Sequence, residues 1–418
     1  MSKINALINE LCPCGVPFMK LGELGHFYGG LSGKSKEDFK NGNAVFITYM
    51  NVYSNIALKT DVDDKVRIFE GEKQNTVQYG DVLFTGSSET PDECGMASVL
   101  ITHTDEKLYL NSFCFGFRFN DSNLFNPNFT KHLFRSSEMR SQIIRTASGV
   151  TRFNVSKKKM AEIMIPVPPL KVQDEIVKIL DNFTELTAEL TAELTARKQQ
   201  FEYYQDLLFD NQEYPKVKVK DVIISLKTGL NPRTNFKLNE EKAECFYITG
   251  KDIYDNAIHF SERTDKISKE VVTLINRRSQ LEDGILLFAS TGCSTVGRMA
   301  VLEHYSGDWN VSETMYCIKP TNKVLVSFLM YALYSAHAKS QYEPKISKGT
   351  VPHLKVSDLL EIIIPLPSIK EQKRIVELLS KYDKYCNDIT VGIPAELDGR
   401  RKQYEYYREK LLAFEKSN

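Results

Sequence analysis

The sequence predicts an α+β chain in which two mixed α/β domains alternate with two long helices, the whole arising by internal duplication. Three observations lead to this fold class. A segment of sixteen residues recurs at an interval of 199 residues, short β-branched and aromatic runs precede each copy, and apolar residues at helical spacing follow it. With 418 residues, the chain is long enough for two ordinary domains and connecting elements.

Charge and hydropathy narrow the classes of function. Lys and Arg number 54 and Asp and Glu number 54, so the chain is formally neutral, which argues against non-specific coating of nucleic acid. The basic residues are nevertheless concentrated locally, because residues 131–159 hold eight of them against one acid, Glu138. No apolar run approaches the roughly 18 residues of a membrane span. We therefore expect a soluble, cytoplasmic protein with no membrane partner.

Two further sequence features argue against a signal peptide and against a metal site. Residues 4–11 have the spacing of a short amphipathic helix and lack the continuous apolar core of a signal peptide. Eight cysteines are scattered, and Cys12 and Cys14 form a lone close pair, which is poor spacing for zinc. The sequence predicts no metal site.

The repeat is clearest where each long helix begins. Residues 165–180 read IPVPPLKVQDEIVKIL and residues 364–379 read IPLPSIKEQKRIVELL, with eight of sixteen positions identical. RKQQFEYY at 197–204 matches RRKQYEYY at 400–407 at an interval of 203, so the second helical segment carries four extra residues. The duplication reaches into the globular parts, where FITYMNVYSN (from residue 46) matches YITGKDIYDN (from residue 247). We predict boundaries at 1–164 and 213–363 for the globular domains and at 165–212 and 364–418 for the helices.

The globular halves are rich in short strand-like segments bounded by turn residues. The predicted strands are 44–49, 82–84, 98–101 and 113–119 in the first half, and 246–249, 285–289, 299–302 and 315–318 in the second. Helices are predicted between them at 130–146 and 323–339. Each half is therefore expected to be a mixed α/β domain with a largely antiparallel or mixed sheet.

A long amphipathic helix is predicted after each repeated segment. In the first copy, apolar residues from Ile176 to Leu208 recur at intervals of three, four and seven, which predicts one helix of about 35–40 residues. The second copy offers a matching stripe from Ile375 to Leu411 that includes Ile389. Gly392 and Pro394 interrupt that stripe and predict a break.

The duplication also predicts a geometry. If a pseudo-two-fold axis perpendicular to the helices relates the two copies, the helices pack antiparallel and the globular domains stand at opposite ends of the pair. A helix of this length with one apolar face needs such a partner.

Three features together resemble the specificity subunits of Type I restriction–modification systems. They are the repeated Ile-Pro-x-Pro followed by Gln and Ile-Val, the Arg-Lys-Gln and Tyr-Tyr residues near the helix ends, and tandem Thr-Ala-Glu-Leu at 187–190 and 191–194. The resemblance covers essentially the whole chain. It implies that the globular domains are target-recognition domains, each reading one half of a bipartite double-stranded DNA site.

The resemblance also implies partners and a division of chemistry. The helices would be spacers that dock two methyltransferase subunits, which motor/nuclease subunits join, and the spacer length would set the gap between half-sites. The chain itself would have no catalytic residue and no cofactor. The partners would use S-adenosylmethionine for adenine methylation and ATP with Mg²⁺ for restriction.

The chain contains no complete catalytic motif. The segment GGLSGKS at 29–35 is one residue short of a P-loop, because Tyr28 stands where the first glycine is required. The segment NPNF at 126–129 lacks the second proline of an adenine methyltransferase motif. Two interpretations of the glycine-rich segment remain, a flexible turn or a loop that contacts DNA phosphates through Gly30, Ser32, Lys34 and Ser35.

Polar residues in loops are the other DNA-contact candidates, since Arg and Lys can pair with guanine edges and Ser and Thr with bases or phosphates. Before the repeated segments they are Arg145, Ser148, Thr151 and Arg152 in the first copy and Ser347, Lys348, Thr350 and His353 in the second. Elsewhere they are Tyr49, Asn51, Ser87 and Ser88 in the first half and Asn231, Arg233, Lys251, Asp252, Thr291 and Arg298 in the second. A solvated surface loop is the alternative at each position.

Aromatic residues cluster near the ends of the predicted helices. They are Phe201, Tyr203, Tyr204, Tyr404, Tyr406 and Tyr407. We expect some to pack between the helices and others to contact the methyltransferase subunits. Two other functions remain open: a coiled-coil adaptor whose end domains bind proteins, and an enzyme with an unrecognised site. Salt-dependent binding to a bipartite duplex would exclude the adaptor, and turnover by the purified chain would support the enzyme.

Overall fold

A computed structural model describes residues 2–387 and 392–417 of the chain, with side chains described for residues 6–386 and 392–417. The chain divides into two compact units, the first formed by Met1–Glu189 with Asp398–Asn418 and the second by Leu190–Leu397. The predicted domain boundaries, which follow the sequence repeat, stay predictions.

The first unit contains many short strands. They are β1 (Phe18–Lys20), β2 (Gly25–Gly29), β3 (Ala44–Ile47), β4 (Lys65–Val66), β5 (Thr76–Val77), β6 (Val82–Thr85), β7 (Ser87–Ser88), β8 (Ala97–Val99), β9 (Leu108–Leu110), β10 (Cys114–Phe119), β11 (Ala147–Ser148), β12 (Phe153–Val155) and β13 (Met164–Pro166). Its helices are α1 (Ser2–Leu11), α2 (Leu21–Leu24), α3 (Tyr49–Ser54), α4 (Pro127–Leu133), α5 (Ser137–Thr146), α6 (Lys157–Met160) and the first part of α7 (Leu170–Phe209), with a 3₁₀ turn at Lys36–Phe39.

The second unit repeats the pattern. Its strands are β14 (Lys216–Lys218), β15 (Ile223–Thr228), β16 (Cys245–Ile248), β17 (Ile253–Tyr254), β18 (Ala257–Ile258), β19 (Lys266–Ile267), β20 (Leu286–Ala289), β21 (Met299–Val301), β22 (Trp309–Val311), β23 (Met315–Pro320) and β24 (Ile363–Pro365). Its helices are α8 (Pro232–Asn235), α9 (Lys269–Asn276), α10 (Val326–Tyr334), α11 (Ala336–Tyr342), α12 (Val356–Leu360) and α13 (Ile369–Asn387), with 3₁₀ turns at Val219–Asp221, Gly250–Asp252 and Glu343–Lys345. The last helix of the chain is α14 (Gly392–Leu411).

The sheets of the two units share one topology. Each has an antiparallel four-stranded sheet, in the order β2-β10-β6-β8 in the first unit and β15-β23-β20-β21 in the second. Each has a second sheet with one parallel pair, β3 with β9 or β16 with β22. Each also pairs its first strand with the Ile-Pro segment, as β1 with β13 or β14 with β24. The predicted duplication, strands and mixed sheets are confirmed.

The two units differ in their connections. After the parallel strand, the first unit forms helix α3, whereas the second forms a 3₁₀ turn and the β17–β18 hairpin. The first unit adds strand β5 beside β9, and the second carries helix α9 instead. The two copies therefore share a scaffold and differ in their peripheral segments.

The prediction of one helix at 130–146 and one at 323–339 is wrong, because each region forms two helices. A serine breaks both at the same place in the repeat. The Ser136 side chain accepts a hydrogen bond from the Met139 N–H at the start of α5, and Ser335 does the same for Ala338 at the start of α11. Ser is a good N-cap because its oxygen replaces the missing helical acceptor.

The predicted long helix is confirmed as α7, which has 40 residues. In the second copy α13 ends at Asn387 and α14 begins at Gly392, whose φ is +75°, so the predicted break is also confirmed. Pro394 lies in the first turn of α14, where a proline costs no helical hydrogen bond. Ile389 lies outside the described residues.

Each unit packs parts of the long helices into its core. In the first unit, Ile176 and Leu180 of α7 join a core that contains Leu411 of α14. In the second, Phe209 of α7 joins one that contains Ile375 and Leu379 of α13. Within the second unit α7 and α13 are antiparallel, since the Phe201 ring lies 6.4 Å from that of Tyr382 while Tyr214, beyond α7, donates a hydrogen bond to Glu371 near the start of α13.

The glutamine of the repeated motif ties each helix to its domain. The Gln173 side chain, fully buried, donates to the carbonyls of Leu124 and Pro168 and accepts from the Asn126 N–H. Gln372 makes the same three hydrogen bonds in the second unit. This residue satisfies backbone groups that are otherwise unpaired, which explains why both copies of the motif carry it.

Candidate nucleic-acid interface

A hairpin projects from the first unit immediately before the Ile-Pro segment. Strand β12 pairs with β11 on one side and with β7 on the other, so Phe153 lies opposite Ser88. At the tip, Gly149 has a φ of +151°, and a Cβ there would stand 2.0 Å from the Arg152 carbonyl oxygen. The turn therefore requires glycine. It presents Val150, which is 92% exposed, together with exposed Thr151 and Arg152.

Four predicted DNA-contact residues meet beside this hairpin. Tyr49, Ser87, Ser88 and Arg152 line one cavity of about 340 Å³, with Met50, Tyr53, Glu89, Glu93 and Phe113 as the remaining lining residues. The nine lining residues come from α3, from β7 and the loop after it, from the loop before β10, and from the hairpin. The sequence separates these segments by up to about a hundred residues, and the fold brings them together.

Internal hydrogen bonds hold the floor of this cavity. The Tyr49 hydroxyl donates to the Ser87 carbonyl at 2.9 Å, and the Tyr53 hydroxyl donates to the Glu93 carboxylate at 2.8 Å. Thr90 and Ser88 also donate to Glu93. The hydrogen bond from Tyr53 is the main reason that the pKa of Glu93 lies below its usual value.

The rim of the cavity is less constrained than its floor. Met50 is 59% exposed and Phe113 is 57% exposed. The Arg152 guanidinium lies 5.6 Å from the centre of the Phe113 ring, and among the described residues it forms no ion pair. No sequence pattern indicates Met50 or Phe113 as site residues, because their exposure depends on how the loops fold.

The second unit presents an equivalent loop at the same register. The Val155 N–H donates to the Gly86 carbonyl in the first unit, and the Leu354 N–H donates to the Ser290 carbonyl in the second, both at 2.9 Å. The Ser347 N–H donates to the His353 carbonyl there. The Thr291 hydroxyl and His353 Nδ1 lie 2.8 Å apart, so two predicted residues meet across this loop.

The matched positions carry different side chains. The N–H groups of Gly86 and Ser290 donate to the carbonyls of Phe113 and Thr314, which places those two residues at equivalent positions. By the same correspondence, Arg152 of the first unit matches Val351 of the second, and Met50 matches Lys251. The aromatic, guanidinium and thioether groups of the first unit are thus replaced by hydroxyl, aliphatic and ammonium groups, respectively, in the second.

The exposed residues of the second loop complete this set. Ser347, Lys348 and Thr350 are exposed, and His353 is half-buried. In the first unit, Arg145 and Ser148 are exposed on the equivalent segment. All six belong to the predicted interface and lie where a ligand can reach them.

The basic run at 131–159 does not form one surface. Lys131 is buried and pairs with Asp181, while Arg135 and Arg140 donate to backbone carbonyls of neighbouring loops. Burial lowers the pKa of Arg135 to about 10. The exposed cations of the run are Arg145, Arg152 and Lys157–Lys159.

The glycine-rich segment is tied to the first unit. The Lys34 ammonium pairs with Glu72 at 2.6 Å and donates to the Arg67 carbonyl, and its side chain is 5% exposed. The hydrogen bond from Lys34 lowers the pKa of Glu72 to about 2. A Cβ on Gly30 would stand 2.1 Å from the Asn111 carbonyl oxygen, so this glycine allows two chain segments to meet.

Other predicted residues also have internal hydrogen bonds. The Ser32 backbone exchanges two hydrogen bonds with the Gln74 side chain, and Ser35 caps the 3₁₀ turn that comes after it. Asn51 and Asp252 are buried at matched positions of the two units. The Asn51 side chain donates a hydrogen bond to the Lys59 carbonyl, and the Asp252 carboxylate accepts hydrogen bonds from the hydroxyls of Thr249 and Thr264. These groups shape the loops that carry exposed neighbours.

Four cationic or capping candidates of the second unit have mixed environments. Lys251 is exposed and pairs with Asp265 at 3.0 Å. Arg298 is half-buried and donates to the Ile253 carbonyl. Asn231 caps α8, which leaves its neighbour Arg233 exposed.

The aromatic residues of the long helices fall into two groups. Tyr404 lies 2.9 Å from His132 Nδ1, Tyr407 stacks on Phe183, and Phe201 packs against Tyr382. In contrast, Tyr203 is 65% exposed, Tyr204 is 43% exposed and Tyr406 is 58% exposed. Tyr203 and Tyr406 occupy the same position in the two copies.

Within the described residues, no helix is long and apolar enough to cross a membrane, and no cluster of three metal-ligating side chains is found. The described fold carries one scaffold twice, and each copy presents its own set of exposed loops. This defines a duplicated α/β protein whose two loop surfaces differ in chemistry.

The chain belongs to the family described as the Type I restriction modification DNA specificity domain, which matches residues 13–197 and 211–398. It is 34% identical over 275 residues to the EcoR124I/EcoR124II specificity subunit of Escherichia coli, covering 63% of this chain and 65% of that protein. It is also 34% identical over 286 residues to a putative type I restriction enzyme specificity subunit of Haemophilus influenzae, covering 64% and 68%.

A solved structure supports the fold. It comes from work on complex assembly and conformational transition of the type I R-M system, and it superposes with a TM-score of 0.63 at 16% identity over 95% of this chain and 97% of that one. The two matches to the family and the two units of the structure agree on the duplication.

Proposed function

We propose that this chain is the DNA-reading specificity subunit of a Type I restriction–modification complex. Each unit would read one half of a bipartite duplex site through its exposed loops. The observation that carries the proposal is the pair of loops held at the same register, which present different side chains at matched positions. One scaffold with two side-chain sets suits two short targets of different sequence.

The proposed DNA-contact set favours exposed residues. In the first unit it comprises Arg145, Ser148, Thr151 and Arg152 with the cavity rim, and in the second Lys251, Ser347, Lys348, Thr350 and His353. Lys34, Asn51 and Asp252 would support the loops, because their polar groups already have partners in the fold.

The chain itself would have no catalytic site, and partner subunits bound to it would carry out methylation and restriction. We place two methyltransferase subunits on the long helices, where Tyr203 and Tyr406 present the same exposed aromatic surface twice. Motor/nuclease subunits would complete the complex in the cytoplasm. S-adenosylmethionine, ATP and Mg²⁺ would be bound by these partners. The name of the E. coli relative, a specificity subunit of a restriction enzyme, supports this division.

A domain exchange tests the proposal. Residues 18–155 are replaced by the first domain of another family member. The hybrid is expressed together with its methyltransferase in a bacterial strain, and the methylated adenines in the genome of that strain are mapped. One half-site should change while the other half-site and the gap persist. The matched control exchanges the equivalent part of the second unit and should change the other half-site. A hybrid that changes both half-sites would contradict independent reading.

A further inference from the structure

The cavity rim of the first unit combines exposed apolar side chains with an exposed cation. Met50 and Phe113, which line the cavity, are both more than half exposed. Exposed apolar side chains that gather around a polar cavity are typical of interaction sites. Arg152 stands among them with its guanidinium 5.6 Å from the Phe113 ring. This ring contact orients the guanidinium without using its hydrogen-bond donors.

The cavity favours base edges over phosphates. Glu89 and Glu93 both line it, and carboxylates repel a phosphate group. Glu93 accepts hydrogen bonds from three hydroxyl groups, which fixes the floor beneath the rim. A rigid floor lowers the entropy lost when a ligand binds. The exposed cations Lys157–Lys159 come after the hairpin and suit the phosphates that flank the bases.

We propose that this rim reads a guanine adjacent to a thymine in the major groove. Arg152 would pair with O6 and N7 of the guanine, which is the usual bidentate arrangement for arginine. Phe113 and Met50 would cover the C5-methyl group of the thymine, the apolar group that base pairs present in that groove. The inference rests on the proposed function and assigns a base-pair chemistry to these side chains.

The second unit shows why the assignment is specific to the first. At the matched positions it carries Thr314, Val351 and Lys251, so it has neither the ring nor the guanidinium. Val351 is 56% exposed, so the loop itself remains available for contact. The proposed contact by a ring and a guanidinium is therefore assigned to the half-site that the first unit reads.

The test uses the full chain assembled with its methyltransferase subunits and a duplex that carries the mapped site. Each thymine of the first half-site is replaced in turn by deoxyuridine, which lacks the methyl group, and each guanine by 7-deazaguanine, which lacks N7. One deoxyuridine should weaken binding about fourfold, the value for one buried methyl-sized group. 7-Deazaguanine at the neighbouring guanine should weaken it by about fivefold or more.

The variants link each effect to a side chain. Phe113→Ala and Met50→Ala should bind less tightly and lose sensitivity to deoxyuridine, whereas Arg152→Ala should lose sensitivity to 7-deazaguanine. Phe69→Ala removes an aromatic ring of the same unit that is 54% exposed and lies outside the cavity, so it should keep both sensitivities. Substitutions in the second half-site should affect all of these proteins equally.

The outcomes separate the two proposals. A first half-site that lacks a guanine next to a thymine on either strand overturns the inference, as does a Phe113→Ala protein with full sensitivity to deoxyuridine. In both cases the specific binding that remains upholds the specificity-subunit function. If the assembled wild-type protein binds no duplex specifically, the proposed function itself fails.

Discussion

Replacing Gln372 by alanine should destabilise the second unit strongly. Its amide nitrogen donates to the carbonyls of Lys323 at 3.0 Å and Pro367 at 2.9 Å, and its oxygen accepts from the Leu325 N–H at 2.8 Å. The side chain is fully buried, so its removal leaves three backbone groups without a partner. At about 1–3 kcal/mol for each orphaned group, with partial hydration of the space left behind, we expect a loss of about 3–5 kcal/mol.

The single tryptophan makes this loss measurable in one unit. Trp309 lies in the second unit and is 6% exposed, so its fluorescence reports the unfolding of that unit in denaturant. Gln372→Glu keeps the side-chain volume but removes both donors, so it should destabilise at neutral pH as well. The matched change Gln173→Ala should alter the circular dichroism transition more than the fluorescence transition. A shift of less than about 1 kcal/mol for Gln372→Ala would refute the role of these hydrogen bonds.

Three other changes test separate parts of the molecule. Tyr203→Ser combined with Tyr406→Ser should preserve the fold yet impair assembly with methyltransferase subunits in native mass measurements, and normal assembly would exclude docking at these rings. One extra Thr-Ala-Glu-Leu after Leu194 should rotate the rest of the helix by about 40° and lengthen the methylation-mapped gap by one base pair, with half-sites unchanged. An unchanged gap at full activity would mean that the helix does not set the spacing. Because burial holds the pKa of His132 below its unfolded value of about 6.5, the unfolded chain binds the proton first and stability should fall as the pH drops below about 6.5. His132→Gln should flatten that fall in a denaturation series, and an equally steep fall would assign it to another group.

The architecture could be predicted from the sequence because it depends on periodic patterns. The 40-residue helix α7 is predicted by apolar spacing, and the duplicated strands are predicted by β-branched runs. The breaks at Ser136 and Ser335 escape prediction, since a capping serine acts through one local hydrogen bond inside an otherwise helical pattern.

The candidate interface could be predicted only in part. The hairpin with Arg152 is predictable because polar residues surround a glycine before a recognisable motif. Phe113 has the pattern of a strand residue, and its exposure arises from the meeting of β7, β10 and the hairpin. Lys34 has the local sequence of an interface residue, but its pairing with Glu72 joins residues far apart in sequence, which no local pattern reveals.

The anchoring of the two proposed recognition loops has an evolutionary consequence. One hydrogen bond at the base of each loop, from Val155 to Gly86 and from Leu354 to Ser290, joins backbone atoms alone. These backbone bonds do not depend on the exposed side chains of the loop, so substitutions at exposed tip positions other than Gly149 cost the fold little. New variants can therefore accumulate at the tip, one substitution at a time, in a protein that keeps folding throughout.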